Sequence, residues 1–436
     1  MSNLPLDGIR IVELTQIAAG PYATQYLGDW GAEVIRLENL QTLQPGTRGA
    51  YAKVSQDLVD QAKATLAQGF IFPNWEAGPR PWNRFTQFTA TARSRLSMTV
   101  NLRTAEGLDI LGKLLETADV FIENNVPETL AKLGISYEWV TKNNPNIIMI
   151  RMPAFGLTGP YSNYRCLGLH VDGAVGHHHI KGYPDVDPSM RGDTVAADAA
   201  AGGAAAFAIL SAIWYRNRTG KGQMIELCLS ENFIPVMAEP IMDYNMNRRV
   251  RGTIGNRDYY MAPHGVYPCY GTEKWVAIAI ASDQEWQTLC KIMSNPDLAA
   301  DERFITTISR LKNQDDLDEI IKLWTINFTP NQIFTMLQTQ GIAAGPLLDD
   351  LEILQDPHMI ERGFYQELPH EEVGTLKYHG PGWLMSNTPN KLRQAAPLLG
   401  EHNEYVYKEI LGFTDSDYKR LEEEGHIGMD MMPNVP

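Results

Sequence analysis

Hydrophobic and polar positions along this chain change period again and again, from short β-branched runs to longer amphipathic stretches. Ile9 to Leu14 (IRIVEL) is a strand-like run after a Leu-Asp-Gly turn, and Gly20-Pro21 then opens a helical stretch from Tyr22 to Trp30. Gly31 closes that helix, and Ala32 to Glu38 (AEVIRLE) predicts the next strand. The same alternation continues with a strand over Leu96–Leu102, a helix over Thr104–Thr117 and a strand over Ala118–Glu123. A helix over Val126–Leu133 and a strand over Ile147–Met152 follow. Repeated βαβ units predict an α/β fold with a doubly wound, Rossmann-like parallel sheet. Ala196 to Trp214 (AADAAAGGAAAFAILSAIW) reads as one buried helix whose small residues meet close neighbours.

Beyond Asn232 the pattern differs. VAIAI (Val276–Ile280) is a strand, while Asp283–Met293 and Leu317–Trp324 are helical, which predicts a smaller α+β domain. From Gly345 the chain is Pro-rich and extended, returning towards the first domain. The expected organisation is therefore a large domain over 1–228, a linker over 229–256, a small domain over 257–345 and a return segment over 346–436. Asn39 to Arg93 is irregular and aromatic (FPNWEAGPRPWNRF), either a functional flap or a decoration packed on the surface.

Composition narrows the function classes. Of 436 residues, 37 are Lys or Arg and 52 are Asp or Glu, a formal net charge of −15. That balance disfavours nucleic acid and anionic membranes as partners, because both need a basic face. No run of about 18 apolar residues is uninterrupted, so no membrane span is expected. With no apolar leader at the start, the expected location is cytoplasmic. The four cysteines (Cys166, Cys228, Cys269, Cys290) are far apart and read as free thiols.

Few residues stand out chemically. Asp198 is the one acid in the Ala/Gly-rich helix. It is either an ordinary first-turn acid or a carboxylate kept accessible by small neighbours. His177, His178 and His179 read as a loop rather than a metal site, since adjacent side chains diverge and no second ligand cluster is spaced to join them. Arg93, Arg95 and Arg103 form a basic cluster in an acidic chain, suited to a solvated edge or to a polyanionic ligand. Arg165 offers a further cation. No GxGxxG follows the first strand, so a nicotinamide or flavin site is not supported.

In order along the chain stand LDGIRIVELTQIAAGPYATQYLGDWGAEVIRLE, RSRLSMTVNLRTAEG, DVFIEN, AFGLTGPY and DTVAADAAAGGAAAFAILSAIWYRNRTGKGQMIELCL. GNR, GIAAGPL, DPHMIERG and APLLGEHN complete the series. So ordered a set resembles the family III CoA-transferases, the group of formyl-CoA transferase, the carnitine and bile-acid CoA-transferases and the α-methylacyl-CoA racemases. The succinyl-CoA:arylsuccinate branch is among the candidates.

The resemblance implies an interlaced dimer, formed with itself or with a paralogous subunit. It also implies coenzyme A and acyl-CoA as substrates, with no permanently bound cofactor. It places Asp198 on the family's catalytic aspartate, which carries the acyl group as an anhydride and then coenzyme A as a thioester. It places Ile17, Ala18, Val100, Asn101, Leu102, Arg103, Asn124, Lys132, Leu133 and Arg165 on the coenzyme A site. Asn39 stands where formyl-CoA transferase has an arginine, with Arg36 or Arg95 as replacements.

Two departures follow. Leu167-Gly168 stands where relatives have an acid or a His-Asp pair, which disfavours racemisation, with His170 as a substitute base. The segment after Arg251 lacks the glycine-rich loop of formyl-CoA transferase, which argues against oxalate as acceptor. The insertion over Gln41–Phe88, with Gly168 and Gly173, suggests a roomy acyl pocket and a bulky or aromatic acceptor acid, with succinyl-CoA as donor. The alternatives are a racemase or isomerase and a catalytically silent subunit of a heteromer.

Overall fold

In the computed structural model, which describes residues 4–43, 46–65, 71–190, 196–389 and 391–436, the strand-and-helix alternation becomes a six-stranded parallel sheet. Its strands are β1 (Arg10–Leu14), β2 (Glu33–Glu38), β3 (Leu96–Thr99), β4 (Val120–Glu123), β5 (Ile148–Arg151) and β6 (Gln223–Glu226). Their spatial order is β3-β2-β1-β4-β5-β6, the doubly wound order expected. Ile11 pairs with Val34 on one side and with Val120 on the other, so β1 lies at the centre. Val12, Ile35, Phe121 and Ile148 are fully buried, as strands covered on both faces require.

Helix α1 (Ala19–Asp29) follows β1, and α2 (Ala105–Glu116) follows β3. Thr104 caps α2 by accepting the Gly107 N–H. The strands and helices are mostly a residue or more shorter than their sequence patterns. β6, with its polar sequence QMIE, shows no apolar alternation to mark it.

Helix α3 (Pro127–Leu133) follows β4, a short helix α4 spans Gly168–Ala174, and α5 spans Ala196–Thr219. By length and composition α5 could cross a membrane, but half of its apolar window is buried inside the fold. Ala197, Ala201, Ala205 and Ile209 lie in the same core cluster as Ala19 and Ala23 of α1. A Cβ at Gly202 would overlap Tyr22 and come within 3.1 Å of the Ala19 carbonyl, so the glycine sets the close approach of the two helices. The start of the long motif quoted above, Asp193 to Val195, lies outside the described residues.

The chain divides into two compact units. One comprises 1–176, 193–242 and 362–436; the other comprises 177–192 and 243–361. By contacts the return to the sheet unit therefore begins at 362, against 346 on the sequence pattern. The returning segment carries a hairpin, β10 (Tyr365–His370) with β11 (Gly374–His379), and then reaches the edge of the sheet. There Asn403 Oδ1 accepts the Thr99 N–H at 2.8 Å and the Tyr407 hydroxyl donates to the Thr99 carbonyl at 2.8 Å. The second unit holds an antiparallel sheet, β7 (His264–Pro268), β8 (Trp275–Ala279) and β9 (Ala343–Leu347). Helices from Asp283 to Ile292 and from Gln314 to Thr325 pack on it through Trp286, Leu289, Leu317 and Ile321, an α+β unit with its own core.

Candidate active site

In an open doubly wound sheet, neighbouring strands whose connections run to opposite sides leave a crevice at their carboxyl ends. Here that point lies between β1 and β4, and four hydrogen bonds pin it. Asn124 Oδ1 accepts the Gln16 N–H at 2.7 Å, and its Nδ2 donates to the Gln16 carbonyl at 2.8 Å. Asn125 Nδ2 donates to the Leu14 carbonyl at 2.9 Å, while its Oδ1 accepts from Gln16 Nε2 at 2.8 Å. Ile17 follows with φ 60°, the left-handed region a β-branched residue avoids, and its N–H is held by Thr47 Oγ1 at 2.9 Å.

Two clefts open there and share Gln16, Asn125 and Thr129 as lining. The first, about 350 Å³, runs from Ile17 and Ala18 past Asn124 to Arg165, Cys166, Gly168 and Asp198. Asp198 lies in the first turn of α5, where the helix dipole favours a carboxylate, and is 6% exposed. Behind it the buried Asp172 of α4 accepts the Ala197 N–H at 3.2 Å. One turn earlier on α4, Gly168 faces Asp198 itself. A Cβ there would overlap Oδ2 and lie 2.7 Å from Cγ, so the aspartate occupies the space a side chain would fill.

The charge of Asp198 reaches its neighbours. Burial, then Asp198 and Cys228, push the Cys166 thiol up to about 11, so it stays protonated at neutral pH and is a poor nucleophile. Burial, followed by Tyr26 and Asp198, also raises the Tyr22 phenol. His170 lies outside the cleft lining: it is exposed, and its Nδ1 accepts the Leu167 N–H at 3.1 Å at the start of α4.

The second cleft, about 410 Å³, takes in Asn39, Val100, Asn101, Leu102, Arg103, Lys132 and Leu133. Eleven of the thirteen residues assigned to coenzyme A from the sequence thus line one cleft or the other. Arg36 and Arg95, the expected replacements for the contact at Asn39, line neither cleft. Both are fully buried, and Glu13 pairs with Arg36 at 2.7 Å and with Arg95 at 3.1 Å. Arg93 is likewise buried against Asp29 at 2.8 Å.

Glu38 also turns inward, bound by Arg48 at 2.6 and 2.7 Å and by Ser97 at 2.6 Å. Burial alone would raise its carboxyl, but Arg48 and Arg36 bring it down to about 2. Among the described residues the aromatic insertion is not a wall of the Asp198 cleft either. Phe72, Phe85 and Phe88 form a small core with Ala396, Trp82 packs with Leu399, and of the described insertion residues Gln41, Thr42 and Leu43 reach the second cleft. Sequence reasoning missed Gln16 and Asn125, whose signal was their place just past the carboxyl ends of β1 and β4, and Thr129 in the first turn of α3.

A family model, CoA-transferase family III, matches residues 6–403. The succinyl-CoA–D-citramalate CoA-transferase of Chloroflexus aurantiacus is 32% identical over 418 residues, covering 96% of this chain and 97% of the relative. The succinyl-CoA–L-malate CoA-transferase alpha subunit of Chloroflexus aurantiacus is 28% identical, covering 96% and 92%. A solved CAIB/BAIF family protein from Brucella suis superposes with a TM-score of 0.79 at 29% identity, covering 94% of this chain and all of the other.

Proposed function

The chain belongs to CoA-transferase family III, and from that premise we propose that it moves coenzyme A from succinyl-CoA to a short dicarboxylic acid, with Asp198 as the covalent carrier. The observation that carries this reading is the position of Asp198. It is a carboxylate in a small-residue notch that lines one of two clefts sharing Gln16, Asn125 and Thr129.

The Asp198 carboxylate attacks the thioester carbonyl, forms an acyl–aspartyl anhydride and expels coenzyme A as a thiolate. The thiolate attacks the aspartyl carbonyl, releasing the donor acid and leaving an aspartyl–CoA thioester. The acceptor carboxylate then displaces the thiolate to give a second anhydride. The thiolate finally takes the new acyl group and restores Asp198. Because the thiolate stays in the clefts throughout, each attack is effectively intramolecular. Arg103, Lys132 and Arg165 would meet the phosphates, and Val100 and Leu102 would border the adenine. Coenzyme A is the travelling substrate of this scheme, and no further cofactor enters it.

Racemisation has less support, since Gly168 brings no acid or base to the cleft and His170 lies outside its lining. The names of the relatives favour hydroxylated four- and five-carbon diacids as acceptors. An aromatic acid is the second reading. It is favoured by the exposed Tyr161–Tyr164 stack, with centroids 5.0 Å apart, whose Tyr164 lines the cleft.

A partner subunit is part of the proposal, this chain again or a paralogue. Phe207, Leu210 and Trp214 line up along the exposed face of α5, and one of the relatives is a named subunit of a heteromer. The described cysteines are all free, which suits a cytoplasmic enzyme.

The test is chromatography of acyl-CoA products from succinyl-CoA and a panel of acids that includes malate, citramalate, glutarate and benzylsuccinate. A new thioester with one of these is expected. Transfer confined to formate, oxalate or carnitine would contradict the substrate assignment.

A further inference from the structure

Glu128 of α3 lines neither cleft, yet it grips a cation from each. Its Oε1 accepts from Arg165 Nη2 at 2.8 Å, and its Oε2 pairs with Lys132 Nζ at 2.9 Å. Arg165 lines the Asp198 cleft and Lys132 lines the second one, while Thr129, the next residue after Glu128, lines both. Arg165 donates first and Lys132 second in holding the Glu128 carboxyl below its ordinary range, so it is ionised at neutral pH. Among the described residues the only other cationic lining is Arg103. The acids in the lining are Asp198 and the buried, paired Glu38.

One carboxylate thus neutralises half of the positive charge on the two cations at the junction of the clefts. Both cations are exposed on flexible stems, with side chains 71% and 69% accessible, and without Glu128 they would repel one another. An exposed ion pair is weak enough for a competing anion to replace, and a phosphate offers more charge and more acceptors than a carboxylate.

Resting on the reading of the clefts as a coenzyme A site, we propose that Glu128 is a built-in substitute anion. It holds Arg165 and Lys132 together in the free enzyme, gives way to the phosphate chain of coenzyme A, and weakens retention so that the product thioester can leave. A purely structural Glu128 would lose affinity on removal. A substitute anion predicts a gain.

The experiment is calorimetric titration of full-length wild type and Glu128→Gln with coenzyme A at low and high salt. At low salt the variant should bind about fivefold more tightly, and the difference should shrink as salt screens it. The gain should disappear when Arg165→Ala and Lys132→Ala are also present. Unchanged or weaker binding by Glu128→Gln, or a gain that persists without the two cations, overturns the inference alone. A wild type that does not bind coenzyme A overturns the cleft assignment and this inference with it.

Discussion

Gly168 and Asp198 are thirty residues apart in the chain and touch in the fold, with no room for a Cβ between them. Gly168→Ala should therefore turn the carboxylate from its place and lower kcat by about 100-fold, a loss typical of a misplacement near 1 Å. Coenzyme A affinity should stay within threefold of wild type, because the nucleotide contacts we propose lie elsewhere. Normal kcat in that variant would refute the notch. Cys166 gives a second test at this scale. With its thiol at about 11, roughly a thousandth is thiolate at pH 8, so alkylation should be slow there and accelerate steeply towards pH 11. Cys166→Ser should keep exchange activity, as read by the same acyl-CoA assay. Asp198 stood out as a candidate before the fold was known because its motif resembles a family. The notch was not: in the sequence Gly168 is an absent acid, and only packing makes it the space its neighbour needs.

Arg36 within β2 and Arg95 just before β3 show what elements hide. Arg36 and Arg95 were candidates to replace the contact missing at Asn39, since residue type and local charge do not reveal which way a cation near a strand turns. Parallel pairing of β1 with β2 sets Glu13 opposite Arg36, and both turn into the core with Glu38 and Arg48. Arg48→Ala would leave Glu38 buried with one cation fewer, and the expected destabilisation is about 3 kcal/mol, measurable by denaturant unfolding. The same site predicts the acid limb of stability. The folded-state value of Glu38, about 2, lies below its ordinary 4.5, so the unfolded chain binds the proton more readily. Its contribution is full above pH 4.5 and is lost as the pH falls towards 2. Arg48→Ala should flatten that limb, and an unchanged acid profile would argue against the pair.

At the scale of the molecule, the alternation of strand and helix made the parallel sheet and the second α+β unit readable, since buried strands and amphipathic helices leave periodic marks. β6, the β10–β11 hairpin and α4 left weaker ones: β6 is polar, Pro369 sits inside the hairpin, and α4 is seven residues long. The insertion misled because aromatic residues in an irregular segment suggest a pocket, whereas here they make a small core with the returning chain. The exposed stripe on α5 predicts a subunit contact. Phe207→Asp with Trp214→Asp should reduce the mass measured by light scattering to that of one 48.8 kDa chain, and an unchanged mass would place the interface elsewhere. The most direct test of the central claim is the rate of coenzyme A exchange in Asp198→Asn, measured beside its affinity for coenzyme A. The account predicts exchange lowered by about 10⁴-fold or more, as for loss of a covalent nucleophile, with binding preserved. Exchange near the wild-type rate would contradict it.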